Sequence, residues 1–227
     1  MSGKARVFVG CDERSGVAER ALESSILRNA TIEVQFVWMR HSDPPFDWSA
    51  VPRLPWEPGG WATQYSNFRY ALPEICDFQG RAIFLDSDMV VLGDIRELWD
   101  APQTRPWRSI SLDRTHVSVI ECEPFKDAAW WPRLRDMKAS RRPGMEYLEL
   151  LRDNGFFDFS IDPAWDSRDS YDPKSTKLIH FTNMMVQPWA PWPERFQYGQ
   201  HPDQAATDLF WQYARMHARS RLDCQGS

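Results

Sequence analysis

The run Arg81-Ala82-Ile83-Phe84-Leu85-Asp86-Ser87-Asp88-Met89-Val90-Val91-Leu92 constrains the fold of this chain more than any other stretch. Two apolar runs, Ala82 to Leu85 and Met89 to Leu92, flank two carboxylates separated by a single serine. Short apolar runs bounded by polar residues read as buried strands. A buried carboxylate is costly unless it is paired, hydrogen-bonded or bound to a metal. Asp86 and Asp88 at a strand end therefore suit a hard, oxygen-seeking divalent cation such as Mg²⁺ or Mn²⁺. An Asp-Ser-Asp turn can also cap a strand through bonds to its own backbone. A turn between exposed elements, however, would not need apolar flanks on both sides.

The chain before this run supplies the rest of an α/β pattern. Val7 to Asp12 reads as a strand ending in an acid, and Ser15 caps a predicted helix to about Asn29. Val17, Ala18, Ala21, Leu22 and Ile26 form that helix's apolar face. Ile32, Val34, Phe36 and Trp38 alternate with Glu33 and Gln35, so a second strand follows. A β-α-β start predicts a parallel sheet. Ligands of such sheets bind beyond the carboxyl ends of the strands, where Asp12, Asp86 and Asp88 would lie.

The bulk numbers narrow the function classes. A length of 227 residues with 42% apolar content fits one domain over residues 1–227. A net charge of −5 argues against broad nucleic-acid binding, which wants a basic face. Residues 1–30 hold no apolar stretch of signal-peptide or membrane-span length, so neither is expected. Cys11, Cys76, Cys122 and Cys224 are scattered, as reduced thiols of a cytoplasmic protein would be.

Further along, residues 41–60 carry five prolines and end in Gly59-Gly60, so an irregular loop is expected. A helix from about Thr63 to Leu72, stopped near Pro73, presents Arg69 beside its apolar face. There Arg69 can cover the helix with its stem or point a fork of donors at a phosphate. Arg108 to Leu112 and Val117 to Ile120 read as strands, and Pro124 to Asn154 as helix broken at Pro132 and Pro143. Ser160 to Pro173 reads as loop, and Lys177 to Phe181 as a short strand containing His180. A proline- and tryptophan-rich loop, Pro188 to Pro193, leads to a final helix from Pro202 to about Arg219. Its face is Ala206, Leu209, Phe210, Tyr213 and Met216. Its basic end complements the helix dipole and would suit peripheral contact with a membrane surface, although docking onto the core accounts for the same pattern.

With Asp12, Arg69, Asp86-Ser87-Asp88 and His180 in these places, the chain resembles the family 8 retaining glycosyltransferases, which include glycogenins and bacterial galactosyltransferases. The stretches that carry the resemblance are Tyr65 to Pro73, Phe84 to Val91, Gly93 to Trp99, and His180-Phe181 with Pro188-Trp189. The resemblance implies a GT-A-type fold: a Rossmann-like, mostly parallel sheet with helices on both faces. It implies transfer of a sugar from a nucleotide-sugar, most often a UDP-sugar, to a glycan or other hydroxyl acceptor. By the same match Asp86, Asp88 and His180 hold the metal. Asp12 faces the nucleobase or ribose, and Arg69 the diphosphate or donor sugar. Ser87 lies within the donor-binding triplet. An imidazole ligand favours Mn²⁺ over Mg²⁺, and protonation of His180 in mild acid, below about pH 6.5, would compete with the cation.

The chain departs from the family in three places. Gln187 stands where many members have a lysine that touches the phosphates, so it offers an amide without charge. The family's Asn-x-Gly sugar-binding strand is not evident between Thr115 and Glu121, and its Asp-Gln pair is missing near Met145 and Glu146. These departures keep a second reading open, a non-catalytic nucleotide-sugar-binding protein. The Asp-x-Asp strand also resembles that of haloacid-dehalogenase-type phosphatases, in which the first Asp attacks phosphorus. That motif normally opens its fold, whereas here a β-α-β unit precedes it.

Overall fold

The computed structural model describes residues 4–40, 65, 67–140 and 144–223. The expected loop over 41–60, the start of the helix expected from Thr63, and Cys224 lie outside them. The first half of the chain runs β1 (Ala5–Gly10), α1 (Gly16–Asn29), β2 (Val34–Met39), α2 (Leu72–Ile75), β3 (Arg81–Asp86), β4 (Met89–Val91) and α3 (Arg96–Asp100). The second half runs β5 (Trp107–Arg108), β6 (Ser118–Glu121), α4 (Leu134–Ser140), α5 (Gly144–Asp153), β7 (Phe157–Asp158), β8 (Ser167–Arg168), β9 (Leu178–His180) and α6 (Gln204–Asp223). Two compact units interleave along the sequence. The first is Met1–Asp12, Gln35–Asp86 and Leu98–Ile161; the second is Glu13–Val34, Ser87–Glu97 and Asp162–Ser227.

The first unit is built on a six-stranded sheet in the order β2-β1-β3-β6-β5-β7. β3 runs parallel to β1, β6 runs antiparallel to β3 and to β5, and β7 runs parallel to β5. β1, β3, β5 and β7 therefore share one direction and β6 opposes them, so the sheet is mostly parallel, as expected. The apolar run of β3 is buried throughout from Ala82 to Leu85, which is why it forms an inner strand. Phe8, Phe84, Trp107 and Ile120 from the strands join Leu72, Phe125, Tyr147 and Leu151 in one core. Tyr70 stacks on Tyr147 with ring centroids 4.5 Å apart. Side chains of this size each contribute roughly 1.5–3 kcal/mol on burial.

Three local expectations change here. The segment before β3 is a 3-10 turn over Phe68–Ala71 that continues directly into α2. Pro73 thus opens a helix instead of stopping one, because the first turn needs no intrahelical N–H donor. β5 ends at Arg108, short of Leu112, and beyond it Ser111 and Arg114 form an isolated bridge.

The second unit holds a three-stranded sheet in the order β4-β9-β8. Met89, Val90 and Val91 pair antiparallel with His180, Ile179 and Leu178. α1 packs on β4 and α6 through Ala18, Ala21, Val90, Ile179, Ala206 and Phe210. Polar side chains stitch the same seam: Val91 N donates to Ser25 Oγ at 2.9 Å, and Asn29 Nδ2 donates to Val91 O at 3.0 Å. Ser15 precedes α1 but makes no side-chain cap. Its hydroxyl lies instead 3.1 Å from that of Ser87. Met216 on α6 is exposed, and Ala214 takes a buried place that its face was not expected to include. The polar stretch after Ser160 is ordered as well, as a 3-10 turn over Pro163–Asp166 followed by β8. Asp162 nucleates that turn by accepting from Ala164 N at 2.9 Å.

Candidate functional site

In the first unit, Gly10 at the end of β1 pairs with Asp86 at the end of β3. Asp12 follows two residues after Gly10, so both acids leave the sheet at its carboxyl edge. Asp86 is buried and takes an ion pair from Arg69, Nη2 to Oδ1 at 3.2 Å. Arg69 also donates to Thr115 Oγ1 at 3.1 Å and covers the Phe84 ring at 4.7 Å. Its Nε is buried with no hydrogen-bond partner among the described residues. Among the described residues the Arg69 Nε donor is unsatisfied, and such a donor suits an acceptor brought by a ligand. Beside it, burial pushes the Tyr70 hydroxyl up to about 12, although Arg69 pulls the other way.

In the second unit, His180 is buried between two carboxylates. Its Nε2 lies 3.3 Å from Asp88 Oδ1, and its Nδ1 lies 2.7 Å from Asp166 Oδ1. Arg168 Nε donates to Asp166 Oδ2 at 3.1 Å. Burial alone would lower the His180 pKa, but the charge of Asp88 and the hydrogen bond to Asp166 raise it from 6.5 to about 10. Gln187 donates its amide to Phe181 O at 2.8 Å and to Asp88 Oδ2 at 3.4 Å. Apart from this pairing with His180, Asp88 Oδ1 has no hydrogen-bond partner among the described residues.

This donor set fits a divalent cation. A metal-binding histidine commonly gives its second ring nitrogen to a carboxylate, which fixes the ring and raises its basicity. Here Nδ1 is so engaged, and Nε2 faces a carboxylate oxygen that has capacity left. Asp88 and His180 of the expected metal ligands thus meet in the second unit, while Asp86 pairs with Arg69 in the first. The strand expected over Lys177 to Phe181 is β9, which ends at His180. His180 sits in the smaller sheet, because its register partner is Met89 of β4. Sequence reasoning missed Thr115 and Asp166. Thr115 lies outside any regular element, and Asp166 closes a 3-10 turn in a stretch with no periodic pattern. A buried pair for His180 could have been sought among the acids before it, but the sequence holds several.

No protein-family model matches the chain. Among solved structures, the protein is similar to the glycosyltransferase GlyE of Streptococcus pneumoniae TIGR4 (TM-score 0.60, 17% identity, covering 93% of this chain and 61% of GlyE). It is also similar to WbbM, a bifunctional glycosyltransferase (TM-score 0.61, 16% identity, covering 83% of this chain and 47% of WbbM). A third likeness is to the galactosyltransferase LgtC in complex with donor and acceptor sugar analogs (TM-score 0.59, 13% identity, covering 93% of this chain and 95% of LgtC). The fold is therefore the mixed α/β fold of GT-A glycosyltransferases. At the sequence level, Protein CDI of Arabidopsis thaliana is 34% identical over 97 residues, 42% of this chain and 36% of that protein. The chain spans less than two thirds of GlyE, WbbM and Protein CDI. Among the described residues, no helix is long and apolar enough to cross a membrane.

Proposed function

We propose that this protein is a glycosyltransferase of the family 8 type, moving a sugar with retention from a nucleotide-sugar, most often a UDP-sugar, to a hydroxyl acceptor. The observation that carries the reading is His180, buried between Asp88 and Asp166 at the end of the second apolar run's partner strand. The GT-A fold shared with GlyE, WbbM and LgtC supports it.

In this reading Asp86, Asp88 and His180 hold Mn²⁺ or Mg²⁺, which supplies Lewis-acid stabilisation of the charge that grows on a diphosphate leaving group. Mn²⁺ is favoured because imidazole suits it better than Mg²⁺. Arg69 meets the donor's phosphate or sugar and holds Asp86 through Nη2. Gln187 orients Asp88. Asp12, at the carboxyl edge of β1, faces the nucleoside, and Ser87 borders the phosphates. No protein nucleophile is assigned. The haloacid-dehalogenase alternative loses its support, because the Asp-x-Asp strand here follows a β-α-β unit in a GT-A fold.

The test is UDP release from a panel of UDP-sugars in the presence of Mn²⁺, with Asp88→Asn and Asp86→Ala as controls. Turnover in the parent and loss of at least about 100-fold in either variant, with an unchanged circular-dichroism spectrum, is the expected result; loss of a ligand that acts in the transition state lowers kcat. Near-normal turnover in either variant overturns the cation assignment. A second reading, binding without transfer, is favoured by the commitment of Gln187 to Asp88 and Phe181 where a phosphate-binding lysine was expected. Binding of UDP without release of product would select it.

A further inference from the structure

We infer that Asp166 is the positioning residue of this site: it aims His180 Nε2 at Asp88 and so sets the protein's affinity for a divalent cation. The inference rests on the cation reading above. Asp166 is nearly fully buried, and it reaches His180 from a different segment of the second unit. A buried carboxylate without partners would be costly, so its retention here calls for a partner that uses the charge. Nδ1 of His180 is that partner at 2.7 Å, and Arg168 steadies the second oxygen at 3.1 Å.

The backbone fixes the same geometry. β8 pairs parallel with β9, with Arg168 in register with His180, and Asp169 N donates to His180 O at 2.9 Å. The segment from Asp166 to Asp169 therefore grips His180 at its ring and at its carbonyl. With Nδ1 held as a donor, only Nε2 can give a lone pair to a cation, and the ring cannot turn to exchange the two nitrogens. Thr182 and Asn183 tie the other end of this segment, since Asp169 accepts from Thr182 Oγ1 at 2.5 Å and from Asn183 N at 3.2 Å. The grip is thus anchored on both sides of the histidine.

The experiment measures Mn²⁺ binding to the full chain without nucleotide, by calorimetry and by electron spin-echo spectroscopy, which detects coupling to imidazole nitrogen. Asp166→Ala removes the acceptor; Asp166→Asn keeps an acceptor oxygen without the charge. The Ala variant is expected to bind Mn²⁺ about 10–100-fold more weakly and to lose the nitrogen coupling. The Asn variant is expected to keep the coupling and recover part of the affinity, a rescue that a purely structural role would not produce. Thermal melts identify any variant that fails to fold; if Ala does, Asn against the parent decides. Equal affinity and coupling in the parent and in the folded variants overturns the inference. A parent that binds no Mn²⁺ overturns the cation reading itself, which is a separate result.

Discussion

His180 shows how a residue's surroundings can reverse a reading made from its type. An ordinary imidazole would lose its cation in mild acid, between about pH 5 and 6.5. Between Asp88 and Asp166, the His180 pKa is raised to about 10, so the cation-free ring is charged at neutral pH. A raised pKa adds stability that is fully present below 6.5 and is lost as pH rises towards 10. Cation-free protein should therefore become less stable between those values, by at most about 1.4 kcal/mol per pH unit. Urea unfolding in the presence of a chelator checks this, and His180→Gln should flatten the slope. A cation must displace that proton, so Mn²⁺ affinity should rise with pH through the same window and binding should release protons. Arg69 carries a comparable lesson. Removing one partner of a buried ion pair leaves the other charge uncompensated, at a cost of about 3–5 kcal/mol. Arg69→Ala should thus lower stability by about that much through Asp86, whereas Arg69→Lys keeps the charge and loses the fork. Comparing UDP affinity in the parent and Arg69→Lys, with unfolding measured for all three proteins, separates the two effects. Equal UDP affinity in parent and Lys variant would remove Arg69 from the donor site. The buried strands that carry Asp86 and His180 were legible because their apolar runs mark them. Asp166 was not, since its burial arises from a turn whose sequence resembles any polar loop.

At the scale of elements, close approach explains where a small residue is required. A Cβ built on Gly93 would lie 3.1 Å from Lys177 Cβ and 3.1 Å from the Trp165 ring, closer than side-chain atoms normally pack. Trp165 is buried and precedes Asp166 in the same 3-10 turn. Gly93→Ala should therefore overpack this corner and cost about 1–3 kcal/mol, measured by urea unfolding; a change below about 0.5 kcal/mol would show that Trp165 swings aside freely. The strongly patterned elements followed from the sequence. β1, α1, β3 and β9 keep within a few residues of their expected limits, because each combines an apolar period with a clear boundary. The short elements did not. β5, β7 and β8 are two residues each and exist only through pairing with distant strands, which no local pattern records. α2 was misread for a related reason: Pro73 is compatible with both the end and the beginning of a helix, and tertiary packing of Phe68, Tyr70 and Leu72 decides between them.

For the whole molecule, the β-α-β start predicted a parallel sheet, the resemblance to family 8 glycosyltransferases implied the GT-A fold, and that fold limits what the chain is suited to bind. The protein carries 32 acidic against 27 Lys and Arg residues, so an anionic donor meets no general attraction. Under the proposed function, binding of such a donor would come from local groups, a cation above all, and this gives a test at the level of stability. A ligand that binds only the native state stabilises it by mass action, about 2.7 kcal/mol at one hundred times its Kd. For a chain of this size that corresponds to a rise in Tm of roughly 5–10 °C. UDP with Mn²⁺ should produce such a rise, UDP or Mn²⁺ alone a smaller one, and Asp88→Asn should abolish the difference between the pair and UDP alone. The synergy is the informative quantity, because a diphosphate that reached the protein through surface charge would show its effect without the cation and would lose it in salt. Thermal melts across nucleoside diphosphates then rank the base, and the nucleotide that gives the largest cation-dependent rise identifies the donor class for the turnover assay. If no nucleoside diphosphate raises Tm in the presence of Mn²⁺, the nucleotide-sugar assignment fails, whatever the fold.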